Sequence, residues 1–273
     1  MHSEQQEYMK TDRENTDLSD DNIARLENIP AISVIIPVFN EAEIITPLID
    51  EIHNELSGKI KYELIVVDDG STDNTMNVLI PLINHVGYPL RVIRHVGNYG
   101  QSTALHTGIE SARAAWIVTM DGDGQNDPAD IMKLLEARDS STVPGLRAVC
   151  GYRKKRNDGI VKKISSVIAN RVRNFFLHDM SPDTGCGLKL IHRNTFLGLP
   201  YFDHMHRFIP ALIKRSGNSI LSIEVSHRPR TTGYSKYSIN NRLWTGIIDL
   251  FGMLWLMRRA KVPKKEEVSY HDY

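Results

Sequence analysis

The sequence predicts an α/β fold, a mostly parallel sheet flanked by helices. Three observations carry that expectation. Short β-branched runs alternate with stretches of helical apolar spacing through the first half of the chain. Three of those runs end in acidic or amide clusters, the place where open α/β sheets bind ligands. The 273 residues are 41% apolar and 24% charged, an ordinary globular balance with enough chain for a sizeable core.

The elements follow in order. Residues 1–30 hold eight acids and three bases and show little periodicity, so a flexible acidic tail is expected there. Ile32-Ser33-Val34-Ile35-Ile36-Pro37-Val38 reads as a buried strand. Asn40 then looks like a helix N-cap with Glu43 three residues on, leading to Ile44, Ile45, Leu48, Ile49 and Ile52. Tyr62–Val67 is a second strand, ended by Asp68-Asp69-Gly70-Ser71, with Ser71 or Thr72 capping the next helix. Leu90–Ile93 is a third strand, Ser102–Ala112 a third helix, and Trp116–Met120 a fourth strand stopping at Asp121.

The second half is basic. Residues 153–173 hold eight Lys or Arg against one Asp, and apolar positions from Ile160 to Phe175 repeat at helical spacing. Residues 227–242 add five more basic side chains, counting His227, and no acid. Lys+Arg and Asp+Glu both total 33, so net charge gives no reason to expect a nucleic-acid partner. Two cysteines make neither a zinc ribbon nor a secreted framework, which favours a reducing compartment and buried, unreactive thiols. No secretory leader is read at the N-terminus.

The sharpest chemical signal is Asp121-Gly-Asp123-Gly-Gln125-Asn-Asp127-Pro128. Two carboxylates one residue apart at a strand end can share a divalent cation. Hard oxygen ligands suit Mg²⁺ or Mn²⁺, and open coordination positions suit phosphate oxygens. Asp127 and Pro128 read as the cap and first residue of the next helix. Asp68-Asp69 and Pro37–Glu41 can contact a nucleotide or merely turn and cap the chain; both readings stand. Gly97–Gln101 is Gly-rich but fits neither a P-loop nor a dinucleotide fingerprint. His204-Met205-His206 is expected to be structural rather than a metal site.

ISVIIPVFNE, ELIVVDDGSTDNT, GNYGQSTALHTGI and WIVTMDGDGQNDP resemble the family 2 glycosyltransferases. GYR at 151–153, DTGCGLKL at 183–190, HRFIPAL at 206–212 and HRPRTTGYSKYS at 227–238 narrow the resemblance to the polyprenyl-phosphate glycosyltransferases. It covers about residues 31–240 and implies a Rossmann-like GT-A fold for that domain. It implies a nucleotide-sugar donor (GDP- or UDP-linked), a polyprenyl phosphate acceptor and an inverting reaction helped by Mg²⁺ or Mn²⁺, with a mannose-like hexose favoured. Pro37, Asn40, Glu41, Asp68, Asp69 and Gln101 would hold the nucleotide. Asp121 would face the nucleoside side, and Asp123 with Gln125 the metal and diphosphate. Arg153, Arg230, Ser235 and Lys236 would bind phosphates, with Asp183, Gly185 and Lys189 on the acceptor side and Asp183 an alternative general base. The sequence departs from the family where DxDxQ is often followed by His and here by Asn126. A hydroxyl-acceptor transferase and a catalytically silent docking module are the competing readings.

Many relatives carry C-terminal membrane helices. Here Leu243–Met257 is too short: fifteen helical residues span roughly 22 Å against a hydrocarbon core of roughly 30 Å. Asp249 near its middle would add about 3 kcal/mol to insertion. Residues 241–273 are therefore expected to form an amphipathic segment lying on a membrane, a partner or the domain itself. A peripheral enzyme at the cytoplasmic face of a membrane is the resulting expectation.

Overall fold

A computed structural model describes residues 29–83, 85, 87–154, 181–229, 239–259 and 261. Residues 1–28 of the expected tail, the expected basic helix from 160 to 176, and Arg230, Ser235 and Lys236 lie outside the described residues.

Seven strands form one sheet: β1 (Ile32–Val38), β2 (Tyr62–Asp68), β3 (Leu90–Arg94), β4 (Trp116–Thr119), β5 (Leu146–Tyr152), β6 (Lys189–His192) and β7 (Ser219–Glu224). Their spatial order is β3-β2-β1-β4-β6-β5-β7. β1 pairs in parallel with both β2 and β4, and β2 with β3. β6 alone runs against the rest, antiparallel to β4 and β5, while β5 and β7 are again parallel. The four strands expected from sequence are all present. The last three go beyond that reading.

β-Branched and other apolar residues alternate between the two faces of the sheet. Ile32, Val34, Ile36 and Val38 of β1, with Leu64 and Val66 of β2, pack under α1 (Ile45–Leu56) and α4 (Asp130–Asp139). Ile35, Ile65, Val67 and Ile117 face the other way, toward α3 (Gln101–Glu110), α6 (Ile209–Arg215) and α7 (Ile239–Arg258). A strand buried on both faces has no polar side, which is why β1 and β2 read as continuous apolar runs. The sheet is thus the middle of three layers, with α2 (Thr75–Ile83) and the short α5 (Arg193–Leu197) completing the helices described here.

Two capping assignments are corrected. Asn40 does not cap α1: its backbone is left-handed (φ 56°), and α1 starts behind Ile44 with no side-chain cap. Asn40 Oδ1 instead accepts from the Thr72 and Asp73 amides (2.7 and 3.3 Å), while its own N–H donates to Ser71 Oγ (2.8 Å). Ser71 and Thr72 are therefore spent on this cross-strand clamp, and Asp73 takes the α2 entry, its Oδ1 accepting from Thr75 N–H at 2.9 Å. Local capping rules fail here because a partner over thirty residues away in sequence offers better geometry. A third is shifted: α4 starts only behind Ala129, with no side-chain cap, and Asp127 Oδ1 accepts from Ala129 N–H (3.1 Å) in the turn before it.

Candidate active site

The C-terminal ends of β1, β2 and β4 share one edge of the sheet, joined there by the N-terminal end of reversed β6. The sequence-expected residues divide along that edge.

At the β1–β2 end, Pro37 is buried inside its strand, so its backbone rather than its ring is what a ligand could meet. Glu41 donates its N–H to Thr75 Oγ1 at 3.0 Å. Asp68 is wholly buried. Its Oδ1 accepts from Ser71 N–H (3.1 Å), while Oδ2 has no hydrogen bond, the nearest cation being Arg94 Nε at 3.5 Å. A buried carboxylate oxygen without a hydrogen bond is costly, and a nucleoside donor group would relieve it. Asp69 is different. Its Oδ1 accepts from Tyr99 N–H (3.0 Å) and pairs with His95 Nδ1 (2.7 Å), and its Oδ2 accepts from Gly100 N–H (2.7 Å). His95 Nε2 reaches Thr107 Oγ1 at 3.0 Å. Asp69 therefore fastens the Gly-rich loop of 97–101 to β2. Gly70 permits that closeness: its φ is +72°, and a Cβ there would collide with the Gly97 backbone.

At the β4 end, Asp121 and Asp123 flank the turn. Gln101 Nε2, at the start of α3, donates to Asp121 Oδ1 (2.7 Å), so the nucleotide-side Gln101 touches the metal-side motif. Asp123 Oδ1 accepts from Gln125 N–H at 3.2 Å. Asn126, which stands where the family often has His, accepts from Asp121 N–H through its Oδ1 (3.2 Å) and so shapes the turn. Loss of water in the cleft, and then the neighbouring Asp123 charge, push the Asp121 carboxyl up to about 6, against the pull of Lys189, Arg153 and the Gln101 bond. Gly187 closes over it, and any Cβ there would strike the Asp121 carboxylate.

Two carboxylates crowded at a strand end fit a divalent cation, which would relieve their repulsion. Among the described residues no group of three or more His, Cys, Asp or Glu could hold a metal alone. Asp123 and the Gln125 position therefore fit as a partial ligand set, one that leaves room for ligand oxygens. Among the described residues His204 and His206 belong to no such group. His206 Nδ1 is bonded to Ser102 Oγ (2.8 Å), and loss of water around the ring, with Arg207, Lys189 and His204 nearby, pulls its pKa down to about 3.

On the β5–β6 side, Arg153 and Asp183 are not separate ligands. Arg153 Nε and Nη2 grip Asp183 Oδ2 and Oδ1 at 2.6 and 3.1 Å, and Gly185 N–H adds a bond to Oδ1 (3.2 Å). Burial opposes the Arg153 charge, but the Asp183 pairing outweighs it and raises its pKa. Lys189 opens β6, is 4% exposed, and donates its Nζ to the Cys186 carbonyl. A cavity of about 140 Å³ lies between Asp121, Gln101, Thr184, Lys189, His206 and Arg207. The sequence reading placed Lys189 beside the acceptor without a role. Its signal was a lone Lys between Leu188 and Leu190 on a strand, where a solvated side chain is not expected. Cys186 is fully buried and burial raises its thiol pKa, as expected of a structural cysteine. The chain leading to Arg230 is pinned to the same turn. Arg228 N–H donates to the Gln125 carbonyl (3.0 Å), and its guanidinium pairs with Glu51 and Asp127 at 2.5 and 2.9 Å.

Comparison with known proteins agrees with this architecture. The profile for glycosyl transferase family 2 matches residues 33–196. Dodecaprenyl-phosphate galacturonate synthase of Rhizobium johnstonii is 36% identical over 243 residues, covering 85% of this chain and 69% of that protein. The undecaprenyl-phosphate 4-deoxy-4-formamido-L-arabinose transferase of Enterobacter sp. (strain 638) is 32% identical, covering 79% of this chain and 65% of its own. The chain thus spans about two thirds of the length of these curated relatives. Among solved structures, the mannosyltransferase PcManGT from Pyrobaculum calidifontis, in complex with GDP-Man and Mn²⁺, superposes with a TM-score of 0.64 at 21% identity, covering 86% of this chain and 66% of that one. Glucosyl-3-phosphoglycerate synthase from Mycobacterium tuberculosis, with Mn²⁺ and UDP, gives 0.61 at 19% identity over 86% and 81%. The structures establish the GT-A fold, and the matched profile and curated relatives establish that this chain belongs to glycosyltransferase family 2.

Proposed function

We propose that the chain transfers a sugar from a nucleotide donor to a polyprenyl phosphate, with inversion and with a divalent cation. One observation carries this: the Asp121 carboxylate at the acidic end of β4 and the buried Lys189 line one cavity, and Arg153 is near enough that both cations oppose the upward shift of Asp121. An anionic acceptor and a diphosphate leaving group need that pairing of opposite charges.

The nucleoside sits over β1 and β2, where Asp68 Oδ2 offers an acceptor and Asn40, Glu41 and the Asp69-held loop shape the wall. Asp123 with Gln125 would hold a divalent cation beside the donor's diphosphate. Bound Mg²⁺ or Mn²⁺ would supply neutralisation of the departing nucleoside diphosphate. The acceptor oxygen attacks the anomeric carbon from the face opposite the diphosphate, and the carbon–oxygen bond to the β-phosphate breaks. No proton has to move, because a phosphate is already an anion at neutral pH. That agrees with an Asp183 committed to Arg153, which positions the guanidinium rather than acting as a base. Arg230, Ser235 and Lys236 follow in sequence the segment pinned to Gln125 and would bind the phosphates.

The sugar is read as a pyranose; the mannose-like hexose favoured by the motifs stands beside the galacturonate and formamidoarabinose of the relatives' names. Residues 31–240 are read as the catalytic domain, and 241–273 as its attachment to the cytoplasmic face of a membrane. Purified protein with Mg²⁺ or Mn²⁺, a short-chain polyprenyl phosphate and labelled GDP- and UDP-sugars, uronates included, should yield an acid-labile glycolipid. Labelled product only on a hydroxyl acceptor, or none from folded protein, overturns the proposal.

A further inference from the structure

Helix α7 packs one side into the protein and leaves the other bare. Met253 is 1% exposed in the core, and Leu250, Leu254 and Leu256 pack beside it. Arg215 Nε, from α6, donates to the Leu256 carbonyl at 3.0 Å. On the outer side Ile248, Phe251 and Trp255 are 69, 68 and 62% exposed. Their spacing of three and four residues puts them in a single stripe. Three large apolar side chains standing together in water are a marker of an interaction surface.

The charges identify what covers it. Asp249 is the helix's only acid, and it turns inward to His204 Nδ1 at 3.2 Å. The stripe runs instead into Arg258, Arg259 and Lys261, all exposed, with the Arg259 guanidinium 5.8 Å from the Trp255 ring. No described helix is long and apolar enough to cross a membrane. An apolar stripe with an aromatic anchor, a cationic end and no acid suits a helix lying in the interface of an anionic bilayer.

We infer that the outer face of α7 docks the enzyme on an anionic lipid surface, with Ile248, Phe251 and Trp255 inserted among the acyl chains and Arg258, Arg259 and Lys261 on the headgroups. This deepens the acceptor reading above by naming the face that brings the enzyme to its lipid. The same core that holds Met253 contains Met205, Phe208 and Ile209, which bracket the cavity residues His206 and Arg207. The buried side of α7 thus shares its core with the segment that lines the cavity.

The test uses the full-length protein and vesicles with or without phosphatidylglycerol. The I248S/F251S/W255S variant should lose binding to the anionic vesicles by about tenfold or more, the scale of three lost apolar insertions. R258E/R259E should weaken binding by a similar factor and flatten its salt dependence. In a W116F/W244F background, Trp255 fluorescence should be quenched by lipids brominated on the acyl chain. Both α7 variants should keep wild-type transfer to a short, detergent-dispersed polyprenyl phosphate; failure of that assay in the wild type would sink the acceptor reading and leave the docking result to stand separately. Unchanged vesicle binding by the triple variant, an unquenched Trp255, or a loss of self-association with vesicle binding intact would each overturn the docking face.

Discussion

At the end of β2, Asp69 gives both carboxylate oxygens to its own protein: two backbone N–H groups and one imidazole surround it. At the end of β4, Asp121 receives one side-chain bond, shares its space with Asp123, and sits with its pKa pushed up to about 6. The two clusters look alike in sequence, an acid pair after a β-branched run. Asp69 is a fastener whose electrostatic capacity is used up by the fold, and at that end only Asp68 Oδ2 is left without a hydrogen bond. The Asp121 and Asp123 end keeps unspent capacity, which is what a ligand site requires. The difference teaches that an acidic strand end should be judged by how many donors the fold has already supplied to it.

The comparison can be broken most severely at β4. Asp123→Asn should leave the thermal midpoint near wild type while turnover at saturating Mn²⁺ falls by about a hundredfold or more, the scale of removing a key electrostatic group. Near-normal turnover would remove Asp123 from the metal. Asp69→Asn should do the reverse. It places an amide against N–H groups that need an acceptor, costing about 1–3 kcal/mol in chemical denaturation with a smaller change in turnover per folded molecule. If Asp69→Asn were as inactive as Asp123→Asn and just as stable, the fastener assignment would fail.

A third substitution joins the two regions. Gly187→Ala pushes a methyl group into the Asp121 carboxylate and should lower turnover by about tenfold through displacement alone, with donor titration showing weaker binding.

The pH dependence of stability sharpens the picture on the acceptor side. His206 is held neutral in the fold with a pKa near 3 against an ordinary 6.5, so between those values the unfolded chain binds the extra proton. Stability should therefore fall as pH drops below 6.5, by up to about 1.4 kcal/mol per unit, and His206→Gln should make that slope shallower. An unchanged slope in melts between pH 4 and pH 6.5 (roughly the window of that shift) would show the ring to be solvated. The smallest effect is expected at Gln101→Leu. One hydrogen bond to Asp121 is lost, so a few-fold drop in turnover is expected at neutral pH.

Much of this was legible before any coordinates. Continuous apolar runs marked β1 and β2 because burial on both faces leaves them no polar side, and DGDGQNDP marked the end of β4 because a Gly- and Asp-rich stretch breaks off its apolar run. What escaped was whatever depends on partners far along the chain. Asn40 has the composition of a cap, yet its geometry is set by Thr72 and Asp73. Arg153 and Asp183 stood in separate motifs and were each assigned to ligands, because nothing local reveals that opposite charges thirty residues apart will neutralise one another. Lys189 was placed on the acceptor side without a role, and Gly187 was not singled out, because the importance of each lies in what it approaches across the cleft.

The reversed direction of β6 has an engineering consequence. The chain leaves the sheet after Tyr152 and re-enters at Lys189, which pairs with Cys150, so departure and return are anchored side by side on the same rim. The two feet of this connection are fixed by neighbouring strands. Loop-closure cost grows only logarithmically with length, so the number of residues between the feet can change at small thermodynamic expense. An exchange confined to the residues between 154 and 181, with both feet and the packed stretch 181–188 left native, should leave the donor half unaltered.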